Sequence, residues 1–144
     1  MPAILFEEHR LMIATADAFL AALRHGPRSA SAVHGPRAQL ASKLRQHRAR
    51  EDALVFKPFA TAGGFTQLPE VSARVQHIQQ EWLAYSRHIG TWTIQAMEAD
   101  WDGYIGAVAG RVEILRTLSA VEEREVYAPI LRFLAAQKAA TACS

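Results

Sequence analysis

Residues 44–58, LRQHRAREDALVFKP, and residues 115–129, LRTLSAVEEREVYAP, align on a shift of 71 positions. Leu44, Arg45, Ala49, Glu51, Val55 and Pro58 meet Leu115, Arg116, Ala120, Glu122, Val126 and Pro129, and Phe56 meets Tyr127. A chain of 144 residues that repeats itself at half its length has few folds open to it. Each half is one supersecondary unit, and the two must bury their apolar faces against each other. The likeness has one conspicuous gap, because His47 meets Leu118.

Apolar spacing makes the unit helical. Leu5, Met12, Ala16, Phe19 and Leu23 recur at the steps of one helix face between residues 3 and 24, and His9 stands in the same row. HGPRSASAVHGPR, 25–37, then reads as a loop, with two Gly-Pro pairs. A second helix is expected from near Arg37, with Leu40, Leu44, His47, Glu51 and Leu54 on one stripe, bending or ending near Pro58. Residues 60–69 form the loop between the halves. A third helix carries Val71, Val75, Ile78, Trp82, Tyr85, Ile89 and Trp92, and is expected to reach about Met97. After EADWDG, 98–103, a fourth carries Tyr104, Val108, Leu115, Leu118, Glu122 and Val126 and is expected to reach about Ala136, leaving 138–144 as a frayed tail. No strand-like alternation interrupts this pattern. The expected fold is all-α: residues 1–144 as one antiparallel, up-down-up-down four-helix bundle of two pseudo-repeated hairpins.

Charge and cysteine content narrow the function. Sixteen Lys and Arg against fourteen Asp and Glu, without like-charge runs, give no nucleic-acid footprint. No apolar stretch is long enough for a membrane span, and MPAILFEEHRLM lacks the basic and apolar regions of a secretory signal. The single cysteine, Cys143, can neither staple the fold nor build a thiolate cluster. A cytoplasmic protein is expected. Nucleophile elbows, phosphate loops and His-Glu-x-x-His are missing, so no hydrolase or transferase is indicated. Peroxide or oxygen chemistry at a metal is the enzymatic option left open. Trp82, Tyr85, Trp92 and Tyr104 read as core or as a homodimer contact.

The chemistry lies in charged residues on apolar stripes, where charge persists only if paired or bound to metal. His47 and Glu51, four residues apart, present imidazole and carboxylate on one face, and Glu122 holds the matching place in the second half. His9 and His77 offer further nitrogen, and Glu81, one turn after His77, further oxygen. Such a donor set suits iron, zinc or manganese.

EEHRLM around His9, HRARE at 47–51 followed by VFKP, QHIQQE around His77 and VEEREVYAP at 121–129 together resemble the haemerythrin-like, or HHE cation-binding, domain. The resemblance implies a non-haem iron centre of two ions, or of one, that binds or senses O2, NO or peroxide or handles iron. It implies His9, His47 and His77 as nitrogen ligands, Glu51 and Glu122 as bridging carboxylates, and Glu81 as a substitute ligand. Leu118 stands where the family has a histidine, which makes the site asymmetric or mononuclear and favours sensing, peroxide chemistry or iron handling over reversible carriage. The competing expectation is a bundle that has lost its metal and serves as an interaction or regulatory module.

Overall fold

The computed structural model describes residues 2–143, and among these every element is helical, with no strand. α1 (Pro2–His25) buries Leu5, His9, Met12, Ala16, Phe19 and Leu23, the row expected from spacing. α2 (Ala30–Glu51) begins about two turns before Arg37, so most of the expected 25–37 loop is helix. Two facts allow this. Ala30 and Val33 bury against the core, and the carbonyl of Ala32 that Pro36 cannot serve lies on an exposed face, where solvent can.

Pro58 neither ends nor sharply breaks the second helical run. Ahead of it, Asp52–Phe56 widens into a π-turn, with the Lys57 N–H reaching back five residues to the carbonyl of Asp52, and α3 (Lys57–Thr61) continues. The second half does the same: α7 (Trp101–Val121) passes through a π-turn at Glu122–Tyr127 into α8 (Ala128–Ala142), whose second residue is Pro129. A proline ring clashes with the carbonyl four residues earlier, and a widened turn relieves that clash while the helix axis continues. The repeated proline thus has a repeated structural consequence.

Between the halves, Gly63 adopts φ 74°, a left-handed conformation natural to glycine, and a short α4 (Gly64–Gln67) occupies the expected 60–69 loop. α5 (Pro69–Thr91) stops before Met97, because Thr93 caps a separate short α6 (Ile94–Ala99) by accepting the Ala96 N–H at 3.2 Å. Trp101, expected in a loop, opens α7 and is buried, its indole N–H donating to the Leu23 carbonyl at 3.2 Å. Helix also runs through the expected tail to Ala142; Ser144 lies outside the described residues.

α1 packs along α2 and α7, α5 packs on α7 and on the second π-turn, and α3 packs on α8. Two apolar clusters result. One gathers Met12, Phe19, Leu23, Leu44, Trp101 and Tyr104, and the other gathers Leu5, Val55, Phe59, Val75, Val126 and Ile130. His9 falls between Leu5 and Met12 on α1, and His47 and Glu51 fall between Leu44 and Val55, so the polar residues sit where the two clusters meet. No helix among the described residues is long and apolar enough to cross a membrane.

Candidate metal centre

Four buried side chains converge at that junction: His9 from α1, His47 and Glu51 from the end of α2, and Glu122 from the start of the second π-turn, each with an exposure of 4% or less. One ligand atom from each lies within 4.8 Å of the other three. His9 Nε2 is 3.1 Å from His47 Nε2 and 3.3 Å from Glu122 Oε2, while His47 Nε2 is 3.4 Å from Glu51 Oε2. Donors that share one ion at bond lengths of about 2.1 Å stand roughly 3.0 Å apart at a right angle and roughly 3.4 Å apart at the tetrahedral angle. The observed spacings span that interval.

The outer nitrogens explain why both Nε2 atoms face inward. His9 Nδ1 lies 3.2 Å from Glu123 Oε2, and His47 Nδ1 lies 3.0 Å from Glu8 Oε1; the other oxygen of Glu8 accepts from Arg50 Nε at 2.7 Å. A carboxylate on Nδ1 holds the proton there, which leaves the Nε2 lone pair pointing at the centre. Two such lone pairs at 3.1 Å repel unless a proton or a cation sits between them.

Tyr127 completes the cluster. Its phenol contacts Glu51 Oε2, donates to Glu122 Oε2 at 2.6 Å, and lies 3.3 Å from His9 Nε2; its ring stacks on that of His9. Burial and the charges of Glu122 and Glu51 push the phenol far above its ordinary range. Burial together with the hydrogen bond and charge of Glu51 likewise holds Glu122 well above the carboxylate range. Burial also acts upward on Glu51, but hydrogen bonds from Glu122, His47 and Tyr127 outweigh it and keep that carboxyl low. For the histidines burial acts downward. It prevails at His9, aided by the charge of His47, whereas at His47 the hydrogen bonds and charges of Glu51 and Glu8 overcome it. Protonated His47 and Glu122 can therefore neutralise the cluster, and so can a divalent cation facing two carboxylates and two neutral imidazoles. Two nitrogens and two oxygens of this kind fit a first-row transition metal.

His77 and Glu81 are not brought to this point. His77 is exposed, because α5 buries Val71, Val75 and Ile78, and one residue along a helix is about 100° around its axis. Ile78, not His77, faces inward. Glu81 is one turn beyond Ile78 and half-buried, but its carboxylate meets Arg111 Nη1 at 3.3 Å and its carbonyl accepts from Arg111 Nη2 at 3.0 Å. The shift of 71 carries His9 onto exposed Gln80, so the second half has no counterpart to either histidine of the first. Leu118, half-buried, packs in the apolar cluster around Tyr127.

Sequence reasoning overlooked Glu8 and Glu123, which lie on the same helical runs as His9 and Glu122 but serve histidines through tertiary contact. Tyr127, whose heptad-spaced neighbours on the fourth helix argue in sequence against a phenolate ligand, is nevertheless brought into the cluster by the π-turn. The only sequence signal for it was the repeated proline two residues later. No protein-family model, curated protein or solved structure matches the chain.

Proposed function

We propose that this chain is a haemerythrin-like four-helix bundle that holds one transition-metal ion, iron foremost with zinc or manganese as substitutes, on His9, His47, Glu51 and Glu122, and binds or senses a small ligand such as O2, NO or peroxide through it. The observation that carries this reading is the paired orientation of the histidines. Both Nε2 atoms face the two buried carboxylates, and each Nδ1 is held by a carboxylate of its own. Nothing in a merely structural polar cluster requires that second layer.

One ion, not two, is favoured by what α5 contributes. Its inward residues are Val75 and Ile78, and Leu118 is apolar, so among the described residues no second set of donors faces the centre. Bound iron supplies a redox-active Lewis acid with coordination positions left for an exogenous ligand. The chain supplies the rest. Glu51 lines a cavity of about 320 Å³ between α2 and α5, with Arg45, Arg48, Phe56, Ile78 and Trp82, which offers a small ligand a way to the cluster. The phenol of Tyr127 provides a hydrogen-bond donor at the same point.

Elemental analysis of protein produced in iron-supplemented medium is the direct test. About one equivalent of metal, falling below roughly 0.1 in His47→Ala, is expected. Less than roughly 0.1 equivalent in the native protein overturns the proposal and leaves the metal-free regulatory module. One observation favours that second reading: Tyr127 already serves both carboxylates by hydrogen bonding, as a cluster without metal would need.

A further inference from the structure

Two arginines of α2 lean toward α5 without an anion to meet there. Arg48 lays its guanidinium over the Trp82 ring, 5.4 Å from the centroid. Burial pushes the Tyr85 phenol up while the charges of Arg37, Arg45 and Arg111 work against it, so the Arg45 guanidinium too is within electrostatic reach of α5. Both arginines line the cavity of about 320 Å³ that also touches Glu51.

The carboxylates nearby are all engaged. Glu51 is held by His47 and Tyr127, Asp52 meets Lys57 Nζ at 3.6 Å, and Glu81 meets Arg111 Nη1 at 3.3 Å. Arg45 and Arg48 thus have no carboxylate partner among the described residues, and a spacing of three residues sets the two like charges side by side on one helix face. An anion between them removes that repulsion. Stacking on an aromatic ring does not consume a guanidinium, because it covers the flat face and leaves the N–H edge free to fork onto a carboxylate. The charge of Glu51 is balanced inside its own cluster, by protonated His47 or by a cation, and does not oppose an anion at the arginines.

The rest of the lining describes the body such an anion must carry. Phe56, Ile78 and Trp82 supply an apolar wall, two of its three members aromatic. A flat ring covers such a wall with few rotors to freeze. Benzene fills an apolar cavity of about 150 Å³, so by proportion about 320 Å³ takes roughly a dozen heavy atoms, carboxylate included.

We propose that this cavity binds an aromatic monocarboxylate of roughly nine to thirteen heavy atoms, its carboxylate between Arg45 and Arg48 and its ring against Phe56, Ile78 and Trp82. Binding rests on the arginines and the apolar wall, not on the metal. Where metal is bound, the same position beside Glu51 puts the occupant on the way to it.

The test is a titration of chelator-treated native protein with cinnamate, which falls within that size, followed in 1H–15N correlation spectra. Saturable shifts are expected in residues 45–56 and 78–82, with a Kd below about 1 mM. Cinnamamide, the neutral isostere, and acetate, an anion without a ring, should each bind about tenfold more weakly. Arg45→Gln and Arg48→Gln should each weaken cinnamate by about threefold to tenfold. Arg132→Gln, on α8 and away from the cavity, should leave the affinity unchanged. All three arginines are exposed, so their replacement does not endanger the fold. Absence of saturable shifts up to about 10 mM cinnamate, equal affinity for cinnamamide or acetate, or unchanged affinity in both the Arg45 and Arg48 variants would each overturn the site. Because the protein titrated holds no metal, cinnamate can bind a chain that never takes up iron and can fail to bind one that does, so the two proposals fail separately.

Discussion

Tyr127 hydrogen-bonds Glu122 at 2.6 Å although the two are five residues apart on one continuous helical run. In an α-helix, residues so spaced point about 140° apart, and the phenol would face away from the carboxylate. The π-turn at Glu122–Tyr127 supplies the extra residue per turn that aligns them. Its counterpart at Asp52–Phe56 places Phe56 at the matching position, so the same widening presents a hydroxyl in one half and an apolar ring in the other. Tyr127 is thus the point where the second half, lacking a histidine at Leu118, contributes its own polar group.

Removing that hydroxyl separates the metal-free from the metal-bound protein. Tyr127→Phe leaves Glu51 and Glu122 without their shared donor, an expected loss of about 1–3 kcal/mol in the metal-free state. With an ion in place the carboxylates have another partner, and the loss should be smaller. Thermal unfolding with and without iron checks this. An equal loss in both states would show that the phenol is the main partner of the carboxylates regardless of metal.

The outer carboxylates should act on metal affinity far more than on folding. Glu8→Gln and Glu123→Gln each remove the anionic acceptor on an Nδ1, and each should weaken metal binding by about 10-fold or more. Exposed Glu7, on the same turn as Glu8, serves as the control. Competition with a chelator of known affinity measures the change, and wild-type affinity in both variants would show that the histidines need no such support.

His88 should make the protein acid-sensitive in a defined window. Its folded pKa of about 4 lies below the ordinary 6.5, so between those values the unfolded chain binds more protons than the folded one. Stability from this residue is complete above about 6.5 and declines as pH falls toward about 4. Arg37, Arg111, Tyr85 and Tyr104 surround it, and none of these changes charge in that range. His88→Gln should flatten the acid limb of a plot of unfolding midpoint against pH; an unaltered limb would assign the effect to other groups.

Restoring a histidine by Leu118→His should not restore a second metal. One new imidazole stands at the edge of an apolar cluster, and the nearest carboxylate on α5, Glu81, is held by Arg111, so stoichiometry should stay near one equivalent. The unpaired imidazole should also cost about 1–3 kcal/mol in an apolar cluster. Elemental analysis alongside denaturant unfolding reads both effects. A rise toward two equivalents would mean that His77 or Glu81 can swing inward.

Much of this molecule is legible in one dimension. The helical character of every long run, the row Leu5, His9, Met12, Ala16 and the pairing of His47 with Glu51 all follow from short-range periodicity, because a helix converts spacing directly into direction. Glu122 follows from the repeat. The boundaries were less legible: Gly35 and Pro36 look like a loop, yet Ala30 and Val33 gain enough from burial to carry α2 across them.

What only the tertiary structure decided is which residues share the centre. Rotation of α5 about its axis puts Ile78 inside and His77 outside, because the Val71, Val75, Ile78 row is the one that packs against α7 and the second π-turn. The π-turn brings in Tyr127, and neighbouring runs deliver Glu8 to His47 and Glu123 to His9 across 39 and 114 residues. Periodicity specifies faces within a helix. Contacts between helices depend on how those faces are turned toward one another, and that is settled only when the apolar clusters on either side of the centre close together.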